Sequence, residues 1–291
     1  MGVGEDFRTF CGNLTINNAS SISTRYKLIT RRLNLEYWNT DSNTSHSFYA
    51  GSYGRGTAIR GFSDLDMIFQ LPYDCYERFD NHIGNGQSAL LQEVRRAMQK
   101  TYPTSHIGGD GQVVAVAFKD DITFEVVPAF LNKDKSYTYP DSNNGGRWRV
   151  TNPLPEIAAI KAMDQSANGN LKWLCRMMRA WKSQWSVPMG GLLIDTLAHN
   201  FIRNWANRDK SFLYYDFMSR DFFAYLIAQD TSQTYWQAPG SAQYVWKKGE
   251  FQYKAKRCYN ISLQAIQHES NNQTWSARQR WREIYGTAYP T

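Results

Sequence analysis

The chain has little cysteine: Cys11, Cys75, Cys175 and Cys258, in 291 residues. No two stand as Cys-x-x-Cys, which leaves no compact thiolate metal site. Four scattered cysteines in a chain of this length do not make a disulfide framework, so a reduced, cytoplasmic setting is expected. The five histidines are dispersed and keep no metal-ligand spacing. No apolar run approaches the ~20 residues of a membrane span. No charged-then-apolar leader opens the chain, and Met1-Gly2 is followed by Asp6 where a myristoylation signal wants Ser or Thr. No membrane partner is therefore expected. Gly-x-Ser-x-Gly and Gly-Lys-Ser/Thr are both missing, which leaves serine-hydrolase and P-loop chemistry without a motif. Internal repeats and low-complexity tracts are missing too.

What is present is globular in balance, with 42% hydrophobic and 20% charged residues. Aromatics reach 15%, including ten Trp; base stacking is one use of them and core packing the commoner one. A net charge of +7 favours a polyanionic ligand. One stretch carries chemistry: Gly51-Ser52-Tyr53-Gly54-Arg55-Gly56-Thr57, followed by Ser63-Asp64-Leu65-Asp66. In an extended strand, positions i and i+2 face the same way with Cα atoms roughly 6.5–7 Å apart, so Asp64 and Asp66 can converge on a cation. The glycines and Ser52 offer backbone N–H groups and a hydroxyl to phosphate.

The spacing of Ile22, Tyr26, Ile29, Leu33 and Leu35 predicts a helix from Asn18 to Trp38. Leu65 to Leu71 reads as a buried strand ended by Pro72, and Ser88 to Tyr102 as a helix. A hairpin is expected next: Val113 to Phe118, a turn at Lys119-Asp120-Asp121, and Ile122 to Val127, ended by Pro128. In the return strand Thr123, Glu125 and Val127 share one face. Glu125 is then an acidic group in an apolar strand, which fits a solvated face or a ligand. Past the polar loop 141–146 strand signals fade. Helices are expected over Pro155–Met163, Leu171–Trp185, Gly191–Trp205, Phe212–Ala228, Tyr244–Gln267 and Trp275–Tyr285. The fold class is α+β, with a mixed first lobe over 1–150, a helical lobe over 151–291, and a lobe boundary rather than a linker between them.

Nucleotidyl transfer needs a hydroxyl placed in line with a phosphorus and cations that neutralise the attacking and leaving oxygens. Two Mg²⁺ ions about 3.5–4 Å apart do both. Two clustered carboxylates can bridge such ions, and a third from a neighbouring strand completes the site. Glu125 is the best-placed third.

Gly51-Ser52, Ser63-Asp64-Leu65-Asp66 and Glu125-Val126-Val127-Pro128 together resemble the polymerase-β-like nucleotidyltransferase superfamily. The string Gly51 to Ile59, the helix Leu171 to Lys182 and the following Pro188 to Thr196 are similar to the bacterial cGAS/DncV-like nucleotidyltransferases, closest to clade E. The resemblance runs from the first helix to at least residue 206. It implies a polymerase-β-like lobe of mixed sheet and helices and a helical second lobe, with the active site in the cleft between them. It implies that Gly51 and Ser52 contact a donor triphosphate and that Asp64, Asp66 and Glu125 are the catalytic metal ligands. The usual family residue at the third place is Asp, so Glu125 departs by one methylene. Lys172 and Lys182 become candidate triphosphate contacts. Ten residues apart on a straight helix they point in nearly opposite directions, so at most one faces a cleft. Arg55 and Arg60 would clamp phosphate or lie on the surface. Asn168 and Asn170 would read a base edge or cap a helix. Arg179 and Trp181 would bond and stack on a base, or Trp181 would be core; Tyr53 would stack or pack.

The function so implied is Mg²⁺-dependent joining of NTPs, ATP and UTP among them, with release of pyrophosphate. Mn²⁺ is a possible substitute. The product is a cyclic dinucleotide second messenger leaning to a pyrimidine, cyclic UMP-AMP or cyclic di-UMP. It would activate a separate effector protein in bacterial anti-phage (CBASS) signalling. A monomer with no stable nucleic-acid partner is expected. The rivals are a transferase adding nucleotides to RNA or protein, and a non-catalytic nucleic-acid-binding module.

Overall fold

A computed structural model of the chain describes residues 2–61, 64–120 and 122–291. Ser63 of the Ser-Asp-Leu-Asp string and Asp121 of the expected hairpin turn lie outside the described residues. The chain divides into two units, Asn17–Gly54 with Ser63–Leu154, and Met1–Ile16 with Arg55–Phe62 and Pro155–Thr291. The sequence draws one division, at residue 150. In the structure the long boundary falls at 154–155, and two early segments belong with the later helices.

Helix α1 (Val3–Leu14) has no counterpart in the sequence reading, although Phe7, Phe10, Cys11 and Leu14 keep helical spacing and are all buried. Helix α2 (Ala19–Tyr37) is the expected long helix, burying Ile22, Ile29 and Leu33. Then follow β1 (Ser47–Tyr49), the one-turn α3 (Gly51–Gly54), β2 (Leu65–Gln70), α4 (Tyr73–Asp80) and α5 (Gly86–Gln99). Strands β3 (His106–Asp110), β4 (Val113–Ala117), β5 (Thr123–Leu131), β6 (Tyr137–Asp141) and β7 (Arg147–Thr151) complete this unit. The sheet runs β1-β2-β5-β4-β3, with β6 joining β5 to β7. Among the described residues only β2 and β5 pair in parallel. Period-2 alternation sorts the faces. Leu65, Met67 and Phe69 of β2, Val114 and Val116 of β4 and Phe124 and Val126 of β5 are buried. Leu90, Leu91, Val94 and Met98 of α5 are buried as well. Asp66 and Glu125 project from the opposite face.

Pro128 does not end the return strand; β5 continues to Leu131. The proline falls between Val126, which pairs with β4, and Phe130, which pairs with β6. The strand changes neighbour there, so a missing N–H costs no ladder bond.

In the second unit α6 (Pro153–Ser166), α7 (Asn170–Gln184), α8 (Gly191–Asn204) and α9 (Tyr215–Ile227) follow the expected helices within a few residues. The expected helix from Tyr244 begins later, as α10 (Gln252–Ser270). Before it stands a two-stranded hairpin, β8 (Tyr235–Gln237) and β9 (Tyr244–Trp246), whose alternation buries Trp236 and Val245. Helix α11 (Thr274–Tyr285) closes the core, where Phe7 meets Trp281, Tyr285 and Tyr289 edge-on. Among the described residues no helix is long and apolar enough to cross a membrane. The four cysteines are free.

Candidate active site

The acidic centre is built by strand register. Asp66 of β2 and Glu125 of β5 are direct partners across the parallel pair, so their side chains stand next to each other on one face. Asp64 lies two residues earlier, exposed where the strand begins. Half-burial, then the Asp66 and Asp64 carboxylates, push Glu125 up to about 7; a hydrogen bond to Asp66 and the charge of Asp110 add to this. The like charges that raise it belong to the residues the motif singles out.

Gly51 abuts this centre. Its φ of +52° already favours glycine, and a Cβ there would overlap the Asp66 carboxylate. The backbone N–H of Ala50 donates to Asp66 O at 2.9 Å, and that of Gly54 to Ala50 O at 2.7 Å. The one-turn α3 is thereby seated on β2 directly beside Asp66. Its leading N–H groups have no partner within the helix. Tyr53 packs instead of offering a free face: its ring lies 4.7 Å from Tyr49, which stacks on Tyr26 at 4.2 Å.

Among the described residues no group of three or more His, Cys, Asp or Glu side chains is gathered closely enough to hold a metal ion as it stands. Asp66 and Glu125 converge, and Asp64 is exposed just before β2. In kind the donors fit a hard divalent cation, because all three are carboxylates with no sulfur or imidazole among them.

The other sequence candidates lie in the helical unit, and most are already engaged. Arg55 is buried: its Nε donates to Asp195 at 2.8 Å and its Nη1 lies 3.7 Å from Glu156. It cannot clamp phosphate from there. Arg179 is buried as well and grips Asp195 with two bonds of 2.6 and 2.9 Å, so it reads no base. Trp181 is fully buried, its indole N–H on Cys258 and its ring 5.2 Å from Phe223; it is core. Asn168 takes a left-handed turn conformation, φ +52°, and its amide donates to Asp209 O. Asn170 donates to two backbone carbonyls and accepts from Tyr215. Each amide holds a loop.

The two lysines keep more freedom. The stem of Lys172 packs on Gly56, and its amine lies 3.4 Å from Asp164. Partial burial, then Arg179 and Lys248, lower the pKa of Lys182. Arg60 is exposed. The sequence reading missed the Asp195 centre, which also takes the Thr57 hydroxyl at 2.9 Å. Its one signal is an aspartate inside the apolar run Leu192 to Leu197.

A glycine turn beside paired carboxylates agrees with the protein-family comparison. The model described as the Second Messenger Oligonucleotide or Dinucleotide Synthetase domain matches residues 1–164, more than half of the chain. The chain belongs to that family. This synthetase is a nucleotidyltransferase of the cyclic nucleotide synthase type. It is 25% identical over 277 residues, 83% of its own length and 81% of the relative's, to the Bacillus cereus (strain VD146) protein named "Probable cyclic nucleotide synthase". Its fold is similar to that of E. coli MS115-1 CdnC, solved in complex with HORMA-deltaN. There the TM-score is 0.71 at 13% identity, over 99% of this chain and 98% of that one. Rhodothermus marinus CdnE, a c-UMP-AMP synthase solved with Apcpp and Upnpp, gives a TM-score of 0.59 at 15% identity, over 90% and 95%. At such identities the likeness shows the fold, which is that of the cGAS/DncV-like nucleotidyltransferases, without singling out clade E.

Proposed function

We propose that the synthetase joins two ribonucleoside triphosphates into a cyclic dinucleotide, with Asp64, Asp66 and Glu125 as its metal-binding carboxylates. The observation that carries this reading is the close approach of Gly51 to the Asp66 carboxylate, which sets a glycine turn beside the Asp66–Glu125 pair. Mg²⁺ held by these carboxylates would neutralise charge on the phosphate oxygens. The chain's own residues do the rest. Gly51 and Ser52 hold the donor triphosphate. Glu125, paired in register with Asp66, accepts the proton of the acceptor hydroxyl as that oxygen bonds to the α-phosphorus. The bond from the α-phosphorus to the bridging oxygen breaks, and pyrophosphate leaves. A second transfer within the linear intermediate closes the ring.

The product acts as a second messenger on a separate effector in anti-phage defence. It contains a pyrimidine, as cyclic UMP-AMP or cyclic di-UMP; support for that choice is the clade E likeness of the strings 171–182 and 188–196. The test is incubation with the four labelled NTPs and Mg²⁺ and mass spectrometry of the product. A small phosphatase-resistant product that contains uridine is expected, and the Asp64→Ala/Asp66→Ala double variant should make none. An equally active double variant overturns the site; a purine-only product overturns the base choice alone.

A further inference from the structure

The phosphate-side turn cannot hold itself. Helix α3 has four residues and buries none of them. A single turn has paid the nucleation cost with almost no propagation, so it persists only where its ends are fixed. Its upstream end is fixed by the Ala50 N–H on Asp66 O. Downstream, Arg55 follows Gly54 directly, and Arg55 and Thr57 both end on the carboxylate of Asp195, at 2.8 and 2.9 Å. Between them, the carbonyl of Gly56 accepts from Arg176 at 2.9 Å.

Asp195 is fully buried, and Arg179 fixes it from α7 with two further bonds. A buried carboxylate costs free energy unless it is paired and bonded. Here its pairing reaches 140 residues back to the segment that follows the glycine turn. The same segment supports Lys172, whose stem rests on Gly56 at φ +72°, where an added Cβ would lie 3.1 Å from Cε.

We infer that Asp195 is a positioning residue for the donor-phosphate turn, acting through Arg55 and Thr57. This rests on the reading that Gly51 and Ser52 take the donor triphosphate. Loss of the anchor lets α3 sample other conformations. Donor binding then bears the ordering cost, which raises KM for NTP before it lowers kcat.

The test uses the full chain with NTPs and Mg²⁺. Thr57→Val keeps the shape of the side chain and removes one bond to Asp195. It should raise KM for NTP about fivefold, the worth of one hydrogen bond, with kcat within about twofold and Tm within about 3 °C. Arg55→Lys should give a similar KM effect, and Thr57→Ser, which keeps the hydroxyl, should restore wild-type KM. A lower Tm with unchanged KM in the folded protein would make Asp195 a purely structural group and sink the inference. Asp66→Ala is run alongside. If it stays active, the donor-site reading has failed; if it is dead while Thr57→Val keeps wild-type KM, only the anchor has.

Discussion

Two carboxylate centres in this molecule are both drawn out of water and come out opposite. At Asp195, burial alone would push the carboxyl up, but Arg179 and Arg55 outweigh it and hold it at about 2. At Glu125, burial also pushes up, and the neighbouring charges are Asp66 and Asp64, which push the same way, to about 7. Desolvation acts alike on both; the sign of the neighbours decides. A centre supplied with its own cations stabilises the fold. A centre that gathers like charge leaves room for a cation from solution, at some expense in stability.

Substitutions separate the two. Asp66→Ala should lower cyclic product formation by ~10³-fold or more, because both the cation and the in-line geometry depend on it. Its Tm should hold or rise, since a like charge beside Glu125 is gone. A clear fall in Tm would mean that the acidic centre is structural after all. Asp195→Ala should do the reverse to the fold. Buried Arg179 loses its counter-charge and Arg55 keeps only Glu156 at 3.7 Å, which costs about 3–5 kcal/mol. Urea unfolding would show this as a lower midpoint, and a midpoint within error of wild type would break the contrast. Gly51→Ala comes next in size. The new Cβ meets the Asp66 carboxylate in a left-handed turn, so either α3 or Asp66 must shift. Activity should fall ~10–100-fold, since a 1 Å misplacement at a reacting centre can cost on the order of 100-fold, while unfolding shifts by about 1–2 kcal/mol.

The acidic centre was legible in the sequence and the Asp195 centre was not, for physical reasons. Asp66 and Glu125 sit on strands, where period-2 alternation gives the face directly, and Asp64 stands just before the first of them. Gly51 marks its own turn. Arg55 and Asp195 are 140 residues apart, and nothing local distinguishes a guanidinium facing Asp195 from one facing phosphate. Trp181 and Arg179 look alike on paper whether they line a pocket or fill a core, and only tertiary burial separates them. Strands β3, β6 and β7 are short, and their polar or glycine residues mask the alternation. The hairpin β8–β9 merges in sequence with the helix that follows it.

The smallest expected effect is also the one in which the two centres must oppose each other. Glu125 binds its proton more tightly when folded than at the ordinary value of 4.5. Between pH 4.5 and about 7 the native state therefore holds more protons than the unfolded chain, and stability falls as pH rises. Asp195, held at about 2 against an ordinary 3.8, works the other way: its contribution is full above 3.8 and is lost as pH falls toward 2. Glu125 is half exposed, so solvent screening limits its share to about 1–3 °C of Tm across its window. Glu125→Gln should flatten the slope between pH 5 and 7 and leave the acid limb untouched. On the proposed reading Mg²⁺ would compete with the proton at these carboxylates, so its Tm increment should be larger at pH 7.5 than at pH 5. If the increment is equal at both pH values, or survives in the Asp64→Ala/Asp66→Ala variant, the cation binds elsewhere and the acidic centre is not its site.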